Sequence, residues 1–100
     1  MDKDTEVTLV IFRKYKSDGS IIAYFPELAY DVAGYMGMAY QHIGQHSGAD
    51  YQALLKSCVP ASETEYHDLK EELESLGYNL KVIKRERYDH YLTRKNTKWE

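Results

Sequence analysis

One hundred residues, 43% of them apolar and 29% charged, make one domain of ordinary size with room for a single core of helix packed on sheet. No stretch reaches the roughly 20 apolar residues of a membrane span, the acidic N-terminus MDKDTEV has no apolar signal core, and the single cysteine, Cys58, cannot close an internal disulfide, which points to the cytoplasm. The net charge of −3 is uneven: residues 81–100 hold seven cations against three carboxylates, a surplus of four, so the rest of the chain carries an excess of seven negative charges.

Residues 1–6 are polar and expected to be loose. Val7 to Lys16 contains VTLVIF, a run of β-branched and large apolar residues that predicts a strand covered on both faces. Ser17-Asp18-Gly19-Ser20 is a turn, and Ile21 to Phe25 return antiparallel until Pro26, which weakens or ends the strand. Residues 27–37 are expected as a loop, Met38 to Ile43 as a third strand, and Gly44 to Asp50 as a polar turn. Over 51–59 two periodicities compete. Tyr51, Leu54, Leu55 and Cys58 fit a helix that Ser47 would cap, whereas Tyr51, Ala53, Leu55, Ser57 and Val59 alternate. The favoured expectation is a helical turn near 48–52 and a strand over 53–59, because Pro60 imposes an extended residue before it.

The clearest element is a helix over 63–76. Ser62 and Glu65 have capping-box spacing, Tyr66, Leu69, Leu73 and Leu76 form one stripe, and Gly77 provides a left-handed exit. Leu80 to Lys84 alternate as a strand, with Leu80 and Val82 on one face and Lys81 and Ile83 on the other. From Glu86 a short helix is expected, with Tyr88, Tyr91 and Leu92 on one face; residues 88–100 are the basic tail. The fold class is therefore α+β: an antiparallel sheet of four to five strands with one main helix on one face, in the order ββββαβ. The last strand is expected beside one from the first half. The expected core comprises Val10 or Leu9, Ile11, Phe12, Ile22, Phe25, Leu55, Leu69, Leu73, Leu76, Leu80 and Val82.

Catalytic constellations are weak. The YQHIGQH segment offers His42 and His46, with Asp50 as a third metal ligand. On an extended strand, however, those histidines stand roughly 13 Å apart, and a metal needs Gly44 to kink the chain. Cys58 has the ordinary character of a small core residue, and Glu71, Glu72 and Glu74 are expected on the wet face of the helix together with His67 and Asp68. No catalytic residue, cofactor or metal is assigned.

Two surfaces remain. Ten tyrosines suit a core rim or an interface, and Tyr24, Tyr30, Tyr35, Met36 and Met38 are the expected protein-binding anchors, for an unknown partner or a second copy of the chain. The alternative is a nucleic-acid surface in which Lys84, Arg85, Arg87, Arg94 and Lys95 meet phosphates while Tyr88, Tyr91 and Trp99 stack on bases. Against that alternative stands a pI near 5.8 for the whole chain.

The FRKYK and IIAYFPEL hairpin, Tyr40-Gln41-His42-Ile43-Gly44-Gln45-His46, Ala49-Asp50-Tyr51 and Pro60-Ala61 through Gly77-Tyr78-Asn79-Leu80-Lys81-Val82 carry a resemblance. Over residues 10–87 the chain resembles a family of small bacterial proteins associated with phages and conjugative elements, a family with no assigned activity. The resemblance implies a genomic setting rather than a mechanism. The expected function is a non-catalytic regulatory or accessory protein acting by protein–protein binding, with nucleic-acid binding as the alternative and a small metal-dependent enzyme at YQHIGQH as a further one.

Overall fold

The apolar run at the start of the chain becomes β1 (Thr8–Tyr15), which pairs antiparallel with β2 (Ile21–Ala29) in the expected hairpin. The computed structural model describes residues 7–30, 36–41 and 45–95. In the hairpin turn the Asp18 carboxylate accepts from the Ser20 backbone N–H at 3.0 Å and hydroxyl at 2.8 Å. Val10, Ile11, Phe12 and Arg13 are all buried, so β1 is covered on both faces. Arg13 donates from Nη2 to the Cys58 carbonyl at 2.8 Å, while its buried Nε has no partner among the described residues.

Pro26 does not end β2. The strand continues to Ala29, and its register with β3 (Gly37–Gln41) shifts between Phe25 and Ala29. Proline lacks an N–H to donate, and such an irregularity is where a strand tolerates it. The expected turn at 44–50 is instead β4 (Gln45–Ala49), paired with β3 from Gly37↔Ala49 to Gln41↔Gln45.

The expected helical turn and strand over 48–59 are also corrected. α1 spans Tyr51–Ser57, and β5 is only Cys58–Pro60. Asp50, not Ser47, is the cap; its side chain accepts the Gln52 N–H. The helical stripe thus wins: Tyr51, Leu54 and Cys58 are buried, while Leu55 is 41% exposed.

α2 (Glu63–Ser75) has the reciprocal capping box of Ser62 and Glu65. It ends as expected, with Gly77 at φ 108 and the Tyr78 N–H donating to the Leu73 carbonyl at 3.2 Å. Leu69 and Leu73 are buried, and Tyr66 stacks on Phe12 with centroids 4.3 Å apart. Leu76, expected in the core, is 57% exposed because it is the C-cap residue, past the last buried turn. Glu72 is not on the wet face: half-buried, it accepts a hydrogen bond from the Tyr40 phenol.

The chain then returns as β6 (Leu80–Val82) and closes with α3 (Tyr88–Lys95), which lies along β2. The protein is α+β, with strand order β4-β3-β2-β1-β5 and β6 also on β1. Six strands are described, and β6 runs parallel to β1, departing from a purely antiparallel sheet. The last strand does pair with one from the first half.

β5 and β6 share one edge of β1 and run toward each other. Arg13 pairs with Pro60, and Val10 with Val82.

The core has two layers rather than one. α2 covers the face of Val10, Phe12, Ala23, Phe25 and Tyr40. Across the sheet, Ile11, Ile22, Tyr24 and Ala39 pack with Tyr51, Leu54 and Cys58. Among the described residues, no helix is long and apolar enough to cross a membrane.

Candidate functional site

The strongest concentration of unlike chemistry lies where β6 runs into α3. Strand alternation sends Leu80 and Val82 toward the α2 layer and Ile83 toward the opposite layer. The chain then turns through Lys84 and Arg85 into the first residues of α3. His90 accepts the Arg87 N–H through Nδ1 at 3.0 Å, and its own N–H donates to the Arg87 carbonyl at 3.1 Å, which fixes the entry to the helix.

These elements enclose a cleft of ≈ 660 Å³. Leu9 and Ile83 give it an apolar lining, while Lys81, Lys84, Arg85, Arg87 and His90 supply cationic or proton-donating groups, and Asp89 is its acidic member. Glu86 sits in the middle of this sequence but does not line the cleft. Its carboxylate accepts a hydrogen bond from the Tyr24 phenol at 2.8 Å. Tyr24 itself is 0% exposed and stacks on Tyr51 with centroids 5.6 Å apart. A buried ring therefore holds back one of the negative charges that would otherwise dilute the cations.

Ile83 and Lys84 also line a second cavity, of ≈ 450 Å³, at the β1 edge where β5 and β6 converge. Phe12, Tyr66, Pro60, Ala61 and Val82 make it predominantly apolar, with Glu63 as its acidic member.

The negative charge gathers around α2. A third depression, between the hairpin turn and α2, is lined by Asp18, Glu65 and Asp68. Glu65 pairs with Lys14 and accepts the Ser62 N–H, and these two, the Lys14 ammonium first, hold its carboxyl down at about 2. The Ser20 N–H, then its hydroxyl, lowers Asp18 likewise.

Of the expected nucleic-acid residues, the structure brings Lys84, Arg85 and Arg87 to one cleft and places Tyr88, 73% exposed, at the start of α3. Tyr91, Arg94 and Lys95 belong to α3, but their side chains, like the whole of Trp99, lie outside the described residues. Lys81 and His90 were not singled out in the sequence, although the surplus of positive charge from residue 81 onward already included Lys81.

Of the expected protein-binding anchors, Tyr24 is corrected to a core residue. Met38 is half-buried and packs on the α2 layer. Tyr30 is 46% exposed and Met36 half-buried, both beside Gly48 of β4; Tyr35 lies outside the described residues.

Of the metal candidates, His42 and the side chain of His46 lie outside the described residues, and Asp50 caps α1. A different group, His67, Asp68 and Glu71, brings three ligand atoms within 4.8 Å of one another on α2. All three are exposed, so an ion there competes with bulk water. Cys58 is buried, with its Sγ 3.9 Å from the Ser57 hydroxyl.

Comparison with known protein families, curated proteins and solved structures finds no match to this chain.

Proposed function

We propose that the protein is a non-catalytic accessory protein that binds single-stranded nucleic acid, with phosphates seated in the cleft between β6 and α3. One observation carries this reading. Lys81, Lys84, Arg85 and Arg87 converge on a single concave surface while Glu86, from the same segment, is engaged by Tyr24. Four cations on one concave wall attract a polyanion and release its counterions. The apolar lining from Leu9 and Ile83, and the exposed Tyr88 ring nearby, suit unstacked bases better than a closed duplex.

The overall acidity of the chain does not oppose this. The α2 carboxylates Glu65 and Asp68 line a separate depression with Asp18, and Glu63 lines the cavity beyond the Ile83–Lys84 wall rather than the cleft itself. Solvent-exposed charges are screened over about 10 Å at ~0.1 M salt, which limits the reach of these carboxylates. The protein-binding alternative keeps Tyr30 and Met36 but loses the buried Tyr24, which weakens it.

The test is binding of a labelled single-stranded oligonucleotide across a salt series. The logarithm of affinity should fall with the logarithm of salt by about 0.7 for each phosphate contacted. The double variant K84E/R85E should bind far more weakly and with a shallower slope. Binding that ignores both salt and the double substitution would discard the proposal.

A further inference from the structure

We infer that the apolar cavity at the meeting point of β5 and β6 receives one nucleobase of the chain held in the neighbouring cleft. The inference rests on the nucleic-acid reading proposed above.

Cavity and cleft share a wall, Ile83 and Lys84. That wall exists because two short strands approach head-on along β1: past β5 the Ala61 N–H donates to the Phe12 carbonyl at 3.2 Å, and past β6 the Ile83 N–H donates to the Val10 carbonyl at 2.9 Å, and there the two chains part. The cleft side carries Lys81, Arg85 and Arg87, while the cavity side carries Glu63. This polarity repels a phosphate from the cavity and attracts it to the cleft, so a nucleotide straddling Lys84 has one favourable orientation.

The cavity also has the right interior. Phe12 and Tyr66 are stacked nearly parallel, 10° between planes and 4.3 Å between centroids, so the buried Phe12 backs the Tyr66 ring, and both line the cavity with Val82 and Pro60. Phe12 is buried in the core and Tyr66 is fixed on α2, so no side chain must be ordered when a base arrives. At ≈ 450 Å³ the space accommodates a planar base.

The experiment compares two oligonucleotides of about ten residues with equal phosphate number, one oligothymidylate and one with every base replaced by an abasic sugar. Wild-type protein should bind the base-bearing chain about tenfold more tightly, with the same salt slope for both. Tyr66→Leu should remove most of that difference and keep the slope, whereas Tyr88→Ala, which takes away a stacking ring outside the cavity, should leave the larger part of it. Equal wild-type affinity with a steep salt slope would overturn the inference and leave the cleft reading standing. Failure to bind either chain would overturn both. A preference abolished by Tyr88→Ala instead would also overturn it, since the base would then stack on α3. Should Tyr66→Leu fail to fold, the wild-type comparison and the Tyr88 variant still decide.

Discussion

The phenol of Tyr24, at the centre of β2, donates a hydrogen bond of 2.8 Å to the carboxylate of Glu86, 62 residues later. This contact ties the most buried aromatic ring of one core layer to the segment that forms the cationic cleft. Tyr24→Phe should therefore act twice. Loss of this part-buried hydrogen bond to a carboxylate should cost about 1–3 kcal/mol in urea denaturation. Glu86, less firmly held, should then dilute the cleft and reduce oligonucleotide affinity. Glu86→Gln separates the two effects. It keeps a hydrogen-bond acceptor, removes the charge, and should raise affinity about twofold, as expected for one unit charge acting across ~10 Å of solvent.

Leu73 is 0% exposed beneath α2, against Phe25 and Val10 in the same core layer. Leu73→Ala should destabilise the domain by about 2–5 kcal/mol. Domains of this size have a total stability of about 5–15 kcal/mol, so the variant should melt at a clearly lower temperature and sit partly unfolded at the low end of that range. Leu76→Ala, at a position with the same spacing but 57% exposed, should change the melting temperature little. Circular dichroism of the pair distinguishes a stripe that packs along its whole length from one that ends at Leu73.

The Lys14–Glu65 pair predicts a defined acid response. The carboxyl of Glu65 falls from its ordinary 4.5 to about 2 in the folded protein, held first by the Lys14 ammonium and then by the Ser62 N–H. Because the folded state lowers this pKa, the contribution is fully present above about pH 4.5 and is lost as the pH falls toward 2. Glu65→Gln should show a lower urea midpoint than wild type at pH 6, and the two midpoints should converge by pH 2. A gap that persists unchanged at pH 2 would assign the role of Glu65 to its cap geometry alone.

The elements readable from sequence are those whose signals are local. Ser62, Glu65 and Gly77 mark both ends of α2 within 16 residues, and the Asp18-Gly19 turn defines the hairpin. Other segments depend on distant partners. β4 is polar and glycine-containing, with no strand pattern of its own, and is a strand because β3 offers it a ladder. Residues 51–57 fit two periods, and the decision fell to Asp50 as a cap and to Leu54, rather than Leu55, meeting the second core layer. Alternation in β2 puts Ile22 and Tyr24 on one face, but α1 and the Glu86 segment, which pack there, arrive much later in the chain. From local sequence alone Tyr24 therefore reads as a surface anchor. The cleft was half legible: Lys84, Arg85 and Arg87 stood out as a charge cluster, but the removal of Glu86 from it is a tertiary contact without a local signature.

Gly37 offers the sharpest test of how tightly that second layer is packed. A Cβ at Gly37 would lie 2.6 Å from the Cε1 and Oη atoms of Tyr24, far inside van der Waals contact. The ring has little freedom to yield, since Tyr51 stacks on it and Glu86 accepts from its hydroxyl. Gly37→Ala should consequently cost about 1–3 kcal/mol, although a strand ordinarily prefers alanine to glycine. The cause can be isolated with a double-mutant cycle. Tyr24→Leu alone should destabilise by emptying the space of the ring, yet in that background Gly37→Ala should be close to neutral, because the new methyl then enters vacated volume. The two substitutions should couple by about 1–2 kcal/mol in the compensating direction. Simple additivity in the urea midpoints would mean that Tyr24 does not press on Gly37, and would remove the steric basis for its position above Glu86.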